Sequence, residues 1–206
     1  MTSANSVDPA SIRERILDAA ELCLVENGYN TRLHAVIAQR AGFSRPTLYK
    51  YFGDQAAIVD ALFQRELTKY LAVLDPILRG REKLLEVGFV DAIVYTVIYA
   101  RDHELLQKGL RDSPEIVLPW FTTRSKPIVE VATGALTPHF ERLFTPEQLA
   151  KMSPRAISEW AFRIIASLIT TDGIVDTADE QALRSFVKSL LSIAFLPPPD
   201  QHRDDR

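Results

Sequence analysis

Cysteine occurs once in the 206 residues, at Cys23, so no disulfide can close within the chain and nothing marks it for an oxidising compartment. Cys23 falls on the inward face of the first expected helix, where a small buried thiol is the expected state, ahead of a redox sensor. Glycine is also scarce: there are 8, none grouped into a phosphate-cradling loop. The four histidines, His34, His103, His139 and His202, lack the paired spacing of metal ligands, so neither a metal nor a cofactor is expected. Asp102-His103-Glu104 reads like a catalytic relay, but three consecutive helical residues point in different directions and cannot form one. A helical enzyme is therefore the weaker alternative, and no catalytic residue is assigned.

The chain also lacks a basic start followed by an apolar run, which argues against secretion and for a cytoplasmic protein. A membrane span needs roughly 18 to 20 uncharged residues. The most apolar run, Leu84 to Ala100, is broken by Asp91, so no membrane partner is expected. Nor is there an excess of positive charge: the net charge is −3 and the isoelectric point lies near 5.8. A protein that gripped nucleic acid over its whole surface would be basic throughout, so any such surface here must be local. The 47% hydrophobic and 25% charged content are those of an ordinary soluble globular chain with a real core.

Positive charge does gather in one place. Thr31 to Phe52 holds Arg32, Arg40, Arg45 and Lys50 and no acidic residue. Leu33, Val36, Ile37 and Ala41 recur at three- and four-residue steps, which predicts a short helix with that face turned inward. Gly42 can adopt the left-handed conformation that closes a helix, and Ser44 is a good N-cap for the next one. Pro46 fits the first turn of that second helix, where a missing N–H costs no bond. Leu48 and Phe52 point inward together. Arg45, Thr47, Tyr49 and Lys50 point out, as side chains that can bond phosphates or base edges. The pattern is a helix-turn-helix with Ser44 to Phe52 as its recognition helix.

The string Ile37-Ala38-x-x-Ala41-Gly42-Phe43-Ser44-Arg45-Pro46-Thr47-Leu48-Tyr49-x-Tyr51-Phe52, preceded by Arg15-Ile16-Leu17-Asp18-Ala19-Ala20 and Gly28-Tyr29, resembles the N-terminal domain of TetR-family transcriptional regulators. The resemblance covers roughly Arg13 to Leu62. It implies an all-α homodimer: an N-terminal three-helix helix-turn-helix domain that binds double-stranded DNA, and a C-terminal helical bundle that dimerises and takes a lipophilic small-molecule effector. It also implies that Tyr49 and Lys50 hold phosphates. For Arg45 two readings stand, a bidentate contact to guanine and a phosphate contact. Pro46 and Thr47 face a thymine methyl in this reading, and Ser44 is first a cap and then a phosphate donor. Thr31, Arg32 and His34 lie at the entry of the first motif helix, where free N–H groups favour a phosphate. For His34 the reading as a half-buried packing residue is favoured over a phosphate contact. Where the family commonly carries a phosphate-binding lysine, this chain has Gln55.

Around that motif, residues 1–10 read as a mobile arm, 11–53 as the DNA-binding domain, 54–196 as the effector and dimerisation domain, and 197–206 as a tail. A first helix from Ala10 or Ser11 to Glu26 buries Ile12, Ile16, Ala19, Ala20, Cys23 and Leu24. Asp54 caps a long helix to Pro76 or slightly beyond that links the two domains. Leu84 to Ala100 is expected at the centre of the bundle. A short helix at Glu104 to Leu110, a connection from Pro114 to Pro119 and a helix from Trp120 to Phe140 follow. Helices from Pro154 to Thr171 and Thr177 to Ala194 carry apolar faces suited to a four-helix dimer contact. Candidates for a ligand pocket are Phe89, Asp91, Ile93, Thr96, Tyr99, Trp120, Phe121 and Phe162, although aromatic residues at helical spacing are more often simply core. Asp91 either orients a ligand or leans to solvent. The expected function is DNA-binding regulation, with repression relieved by an apolar effector; a regulator of the same fold without an effector is the alternative.

Overall fold

The computed structural model describes residues 8–29, 32–79 and 85–194. Thr31, Leu84 and most of the expected arm and tail lie outside the described residues. Among them are eleven helices and no strand: α1 Pro9–Asn27, α2 His34–Ala41, α3 Arg45–Phe52, α4 Gln55–Arg79, α5 Leu85–Asp102, α6 Glu104–Asp112, α7 Pro114–Phe121, α8 Lys126–Leu143, α9 Pro146–Lys151, α10 Pro154–Thr170 and α11 Glu180–Ala194.

Local chemistry sets most of these limits. Asp8 Oδ1 accepts the Ala10 N–H at 3.3 Å and Pro9 supplies the first turn of α1; Gly28, at φ 78°, ends it. Asp54 caps α4 through the Ala57 N–H at 2.8 Å. Thr145 and Gln148 form a reciprocal capping box at α9, a helix not expected from the sequence. The segment expected as a Pro114 to Pro119 connection is helical instead. Pro114 occupies the first turn, and Pro119 falls close enough to the end that the loss of one N–H does not break it. The helix expected from Trp120 therefore starts at Lys126, after a break at Thr122–Arg124.

Two apolar cores result. The first joins Ile16, Ala20, Cys23 and Leu24 of α1 to Ile37 and Ala41 of α2 and to Leu48 and Phe52 of α3. It does not stop at residue 53: Ile58, Val59 and Leu62 of α4, with Leu105 and Val117 from α6 and α7, belong to it. Val36, expected inside, is 41% exposed, because the buried line of α2 runs through Ile37, Ala38 and Ala41. The second core packs Val90, Ile93, Val94 and Val97 of α5 against Leu183, Val187 and Leu191 of α11. Each such fully buried side chain contributes roughly 1.5–3 kcal/mol.

Polar ties hold the long helix α4 to both sides. Arg65 reaches Asp18 and Glu21 of α1 at 2.7 Å each and Glu14 at 3.3 Å. Farther along, the buried His139 of α8 meets Asp75 at 2.9 Å.

Candidate nucleic-acid interface and effector cavity

The turn between α2 and α3 is built on Gly42, at φ 75° and ψ 30°, whose N–H returns to the carbonyls of Ala38 and Gln39. Ser44 Oγ accepts the Thr47 N–H at 3.3 Å and meets Thr47 Oγ1 at 2.8 Å, so Ser44 is a cap, as expected, and Thr47 is partly engaged by it. With Leu48 and Phe52 held in the core, the opposite side of α3 presents Arg45, Pro46, Tyr49 and Lys50 to solvent, Tyr49 at 52% exposure.

Of the four cations in this stretch, Arg40 is tied to Glu26 at 2.8 Å. Arg32, Arg45 and Lys50 are exposed and make no ion pair with any described residue. A chain of net charge −3 thus keeps three uncompensated cations around one helix pair. His34 takes the packing role: its ring stacks on Tyr49 at 4.9 Å with the planes 10° apart, half-buried at the start of α2. Arg13 and Arg15 brace the unit from behind. Arg13 donates to the Tyr51 carbonyl and lies over Phe52, while Arg15 donates to the Ala41 carbonyl and lies over Phe43.

Gln55 has a different task from the lysine it replaces. Its Oε1 accepts the Leu33 N–H and its Nε2 donates to the Tyr29 carbonyl, both at 3.0 Å. It clamps together the two ends of the α1–α2 connection, and nothing in the sequence marked it for this.

A cavity of about 180 Å³ lies between α4, α5, α6, α7, α8 and α10. That exceeds an engineered apolar void of roughly 150 Å³ known to hold benzene. Thr96, Tyr99, Trp120, Phe121 and Phe162 line it, as expected. Phe89, Asp91 and Ile93 do not. Ile93 lies in the α5–α11 core and Phe89 packs on Trp160 at 5.9 Å. Asp91 neither faces a ligand nor leans to solvent: it is buried and paired with Arg184. α5 buries its most apolar face on α11 and turns a different face to the cavity.

Much of the wall comes instead from α4, through Val59, Phe63, Glu66, Tyr70 and Leu74. These recur at three- and four-residue steps, a stripe that was available in the sequence. Trp120 stacks on Phe63 at 4.5 Å. Burial pushes the Tyr70 phenol up, so it stays protonated, and it is hydrogen-bonded to Thr96. Burial also pushes the Glu66 carboxyl up, but Lys69 at 2.7 Å and the His103 ring more than reverse this, leaving it below its ordinary value and anionic.

The wall reaches the helix-turn-helix unit through Tyr29. Its ring borders the cavity and its hydroxyl donates to the Leu105 carbonyl at 3.1 Å. Its own carbonyl accepts from Gln55, whose other end holds Leu33, the residue that precedes α2. No helix among the described residues is long and apolar enough to cross a membrane.

Residues 16–62 match the family model described as bacterial regulatory proteins, tetR family. The chain is 30% identical over 176 residues to the uncharacterized HTH-type transcriptional regulator Rv1255c of Mycobacterium tuberculosis H37Rv, covering 82% of this chain and 80% of that one. Among solved structures it is similar to the TetR family repressor AlkX from Dietzia sp., implicated in biodegradation of n-alkanes (TM-score 0.67, 21% identity, 91% of this chain and 97% of the other). It is also similar to the transcriptional regulator FadR from Bacillus subtilis, solved in complex with stearoyl-CoA (TM-score 0.53, 22% identity, 86% and 96%).

Proposed function

This chain belongs to the TetR family of bacterial regulatory proteins and is a DNA-binding transcriptional regulator, not an enzyme, and on that premise we propose a dimeric cytoplasmic repressor released from its operator by a lipophilic small molecule. The observation that carries the reading is the cationic face of Arg32, Arg45 and Lys50, without an ion pair among the described residues, on a helix pair whose apolar underside is fixed in a core. Arg45 reads a base edge or a phosphate, Tyr49 and Lys50 hold phosphates, and Pro46 and Thr47 offer small contacts to a thymine methyl. Ser44 and Arg32 add contacts to the DNA backbone. His34 acts by fixing the Tyr49 ring.

Two such heads related by a two-fold axis would enter successive major grooves about 34–36 Å apart and require a palindromic operator. The helices α10 and α11 are the proposed dimer contact, supported by Trp160 and Leu190, which stand 39% and 41% exposed on them. Support for an effector comes from the apolar cavity and from a structural neighbour that was solved holding stearoyl-CoA. An occupant that displaced Tyr29 would act through Gln55 on the start of α2, and one that shifted Glu66 would act through Arg65 on α1. To empty an operator nearly completely it must favour the released state by about 10⁴-fold.

The test is selection of genomic fragments retained by the pure protein, followed by anisotropy titration of one retained duplex with wild type and with Arg45→Ala/Tyr49→Ala. Loss of affinity in the double variant, and in wild type on adding a compound that raises its melting temperature, supports the proposal. Unchanged affinity in the variant contradicts the assigned face.

A further inference from the structure

We propose that the interhelical cavity takes a neutral, elongated apolar molecule with one hydrogen-bonding oxygen, held by Ser158 Oγ, and that it discriminates against carboxylates and phosphates. This rests on the reading of the cavity as the effector site and adds the chemical class of its occupant.

Shape comes first. The wall follows α4 from Val59 to Leu74, a separation of fifteen helical rises or about 22 Å, which suits a chain-like or fused-ring molecule better than a compact one. Polarity follows from which hydroxyls are already engaged. Tyr29 donates to the Leu105 carbonyl. Thr96 donates to the Ala92 carbonyl at 2.6 Å, so the proton between Thr96 and Tyr70 must come from Tyr70. His103 accepts the Leu106 N–H on Nδ1 and faces Glu66 with Nε2. Ser158 differs: it is 3% exposed, borders the cavity, and its Oγ has no hydrogen-bond partner among the described residues. A buried hydroxyl left in that state is unfavourable, and a ligand oxygen beside it would remove the penalty.

Charge decides the rest. No lysine or arginine is among the described lining residues, whose ionisable members are Glu66, His103 and the tyrosines. At the end next to α1, the cations Arg65 and Lys69 stand among four carboxylates: Glu14, Asp18, Glu21 and Glu66. An anionic headgroup would find no lysine or arginine on the described wall, where the His103 ring already faces Glu66, and would meet an excess of negative charge at that end.

Calorimetry on the full chain with 1-octanol and with octanoate at neutral pH tests this, alongside operator anisotropy. The expected result is one 1-octanol per chain, octanoate at least about tenfold weaker, and a loss of about three- to tenfold in 1-octanol affinity in Ser158→Ala, whose melting temperature without ligand is equal to or above that of wild type. Octanoate binding as tightly as 1-octanol, 1-octanol failing to bind, or Ser158→Ala leaving 1-octanol affinity unchanged overturns the proposal. The two readings fail separately. Octanoate that binds and releases the operator refutes the neutral class but keeps the effector site. 1-Octanol that binds through Ser158 without changing operator affinity keeps the site chemistry and removes the regulatory reading.

Discussion

Removing the guanidinium of Arg45 takes a planar five-donor fork from a surface where no described side chain competes for it. Arg45→Ala is expected to weaken operator binding by about 1–3 kcal/mol and to relax preference at one base pair if Arg45 reads guanine. Lys50→Ala, at a phosphate, should weaken all duplexes alike and lower the salt slope of the binding constant by about 1. Anisotropy at several salt concentrations separates the two. Cys23 offers a check on the core behind this face. Burial pushes its thiol up, with Arg40 opposing and Glu26 adding to the effect, so it stays protonated at neutral pH. A thiol reagent should label it only as fast as the domain unfolds, and immediate labelling of the native protein would show the α1–α2 packing to be wrong. Gly42 holds the α2–α3 turn in a left-handed backbone, and an added Cβ there would also meet Arg15 Nη2 at 3.1 Å.

At the scale of elements, the connection between cavity and reading head is a short relay: Tyr29 against α6, Gln55 across the α1–α2 connection, and Arg65 between α4 and α1. Gln55→Ala removes both clamping bonds and should destabilise the fold by about 1–3 kcal/mol, with operator affinity becoming less responsive to any cavity occupant; thermal melts and anisotropy read the two effects. The Glu66 carboxyl is depressed in the folded state, so its contribution to stability is present above its unfolded value near 4.5 and disappears as pH falls through the lower folded value. Melts between pH 7 and 3 should show an acid loss that Glu66→Gln flattens; equal curves would remove Glu66 from the tie. The helix-turn-helix was legible because its signals are local: a closing glycine, a capping serine, a first-turn proline and apolar residues four apart. The cavity was only half legible. The apolar run of α5 pointed to the bundle centre, but which of its faces meets α11 and which meets α4 is decided by tertiary packing, so Thr96 and Tyr99 were found while Phe89, Asp91 and Ile93 were misplaced. α7 was missed because prolines at both ends resemble a loop to any reading that ignores where in the helix they fall.

For the whole molecule, recognition of a palindromic operator needs two copies held so that both recognition helices reach one face of the duplex. Leu190→Arg places a charge on the exposed ridge of α11 and is expected to yield a monomer by light scattering, with operator affinity falling by orders of magnitude although each head is intact. A dimer that persists in Leu190→Arg and also in Trp160→Glu would move the interface elsewhere. The acidic balance of the chain fits the same division: Thr31 to Phe52 holds four cations and no acidic residue, while the other cations are dispersed among an excess of carboxylates. The most direct measurement is a hydroxyl-radical footprint of the protein on a genome-selected duplex, with wild type and Arg45→Ala/Lys50→Ala side by side. The account predicts two protected patches related by a dyad and about one helical turn apart, both lost in the double variant. A single patch, or protection that survives without Arg45 and Lys50, would contradict it.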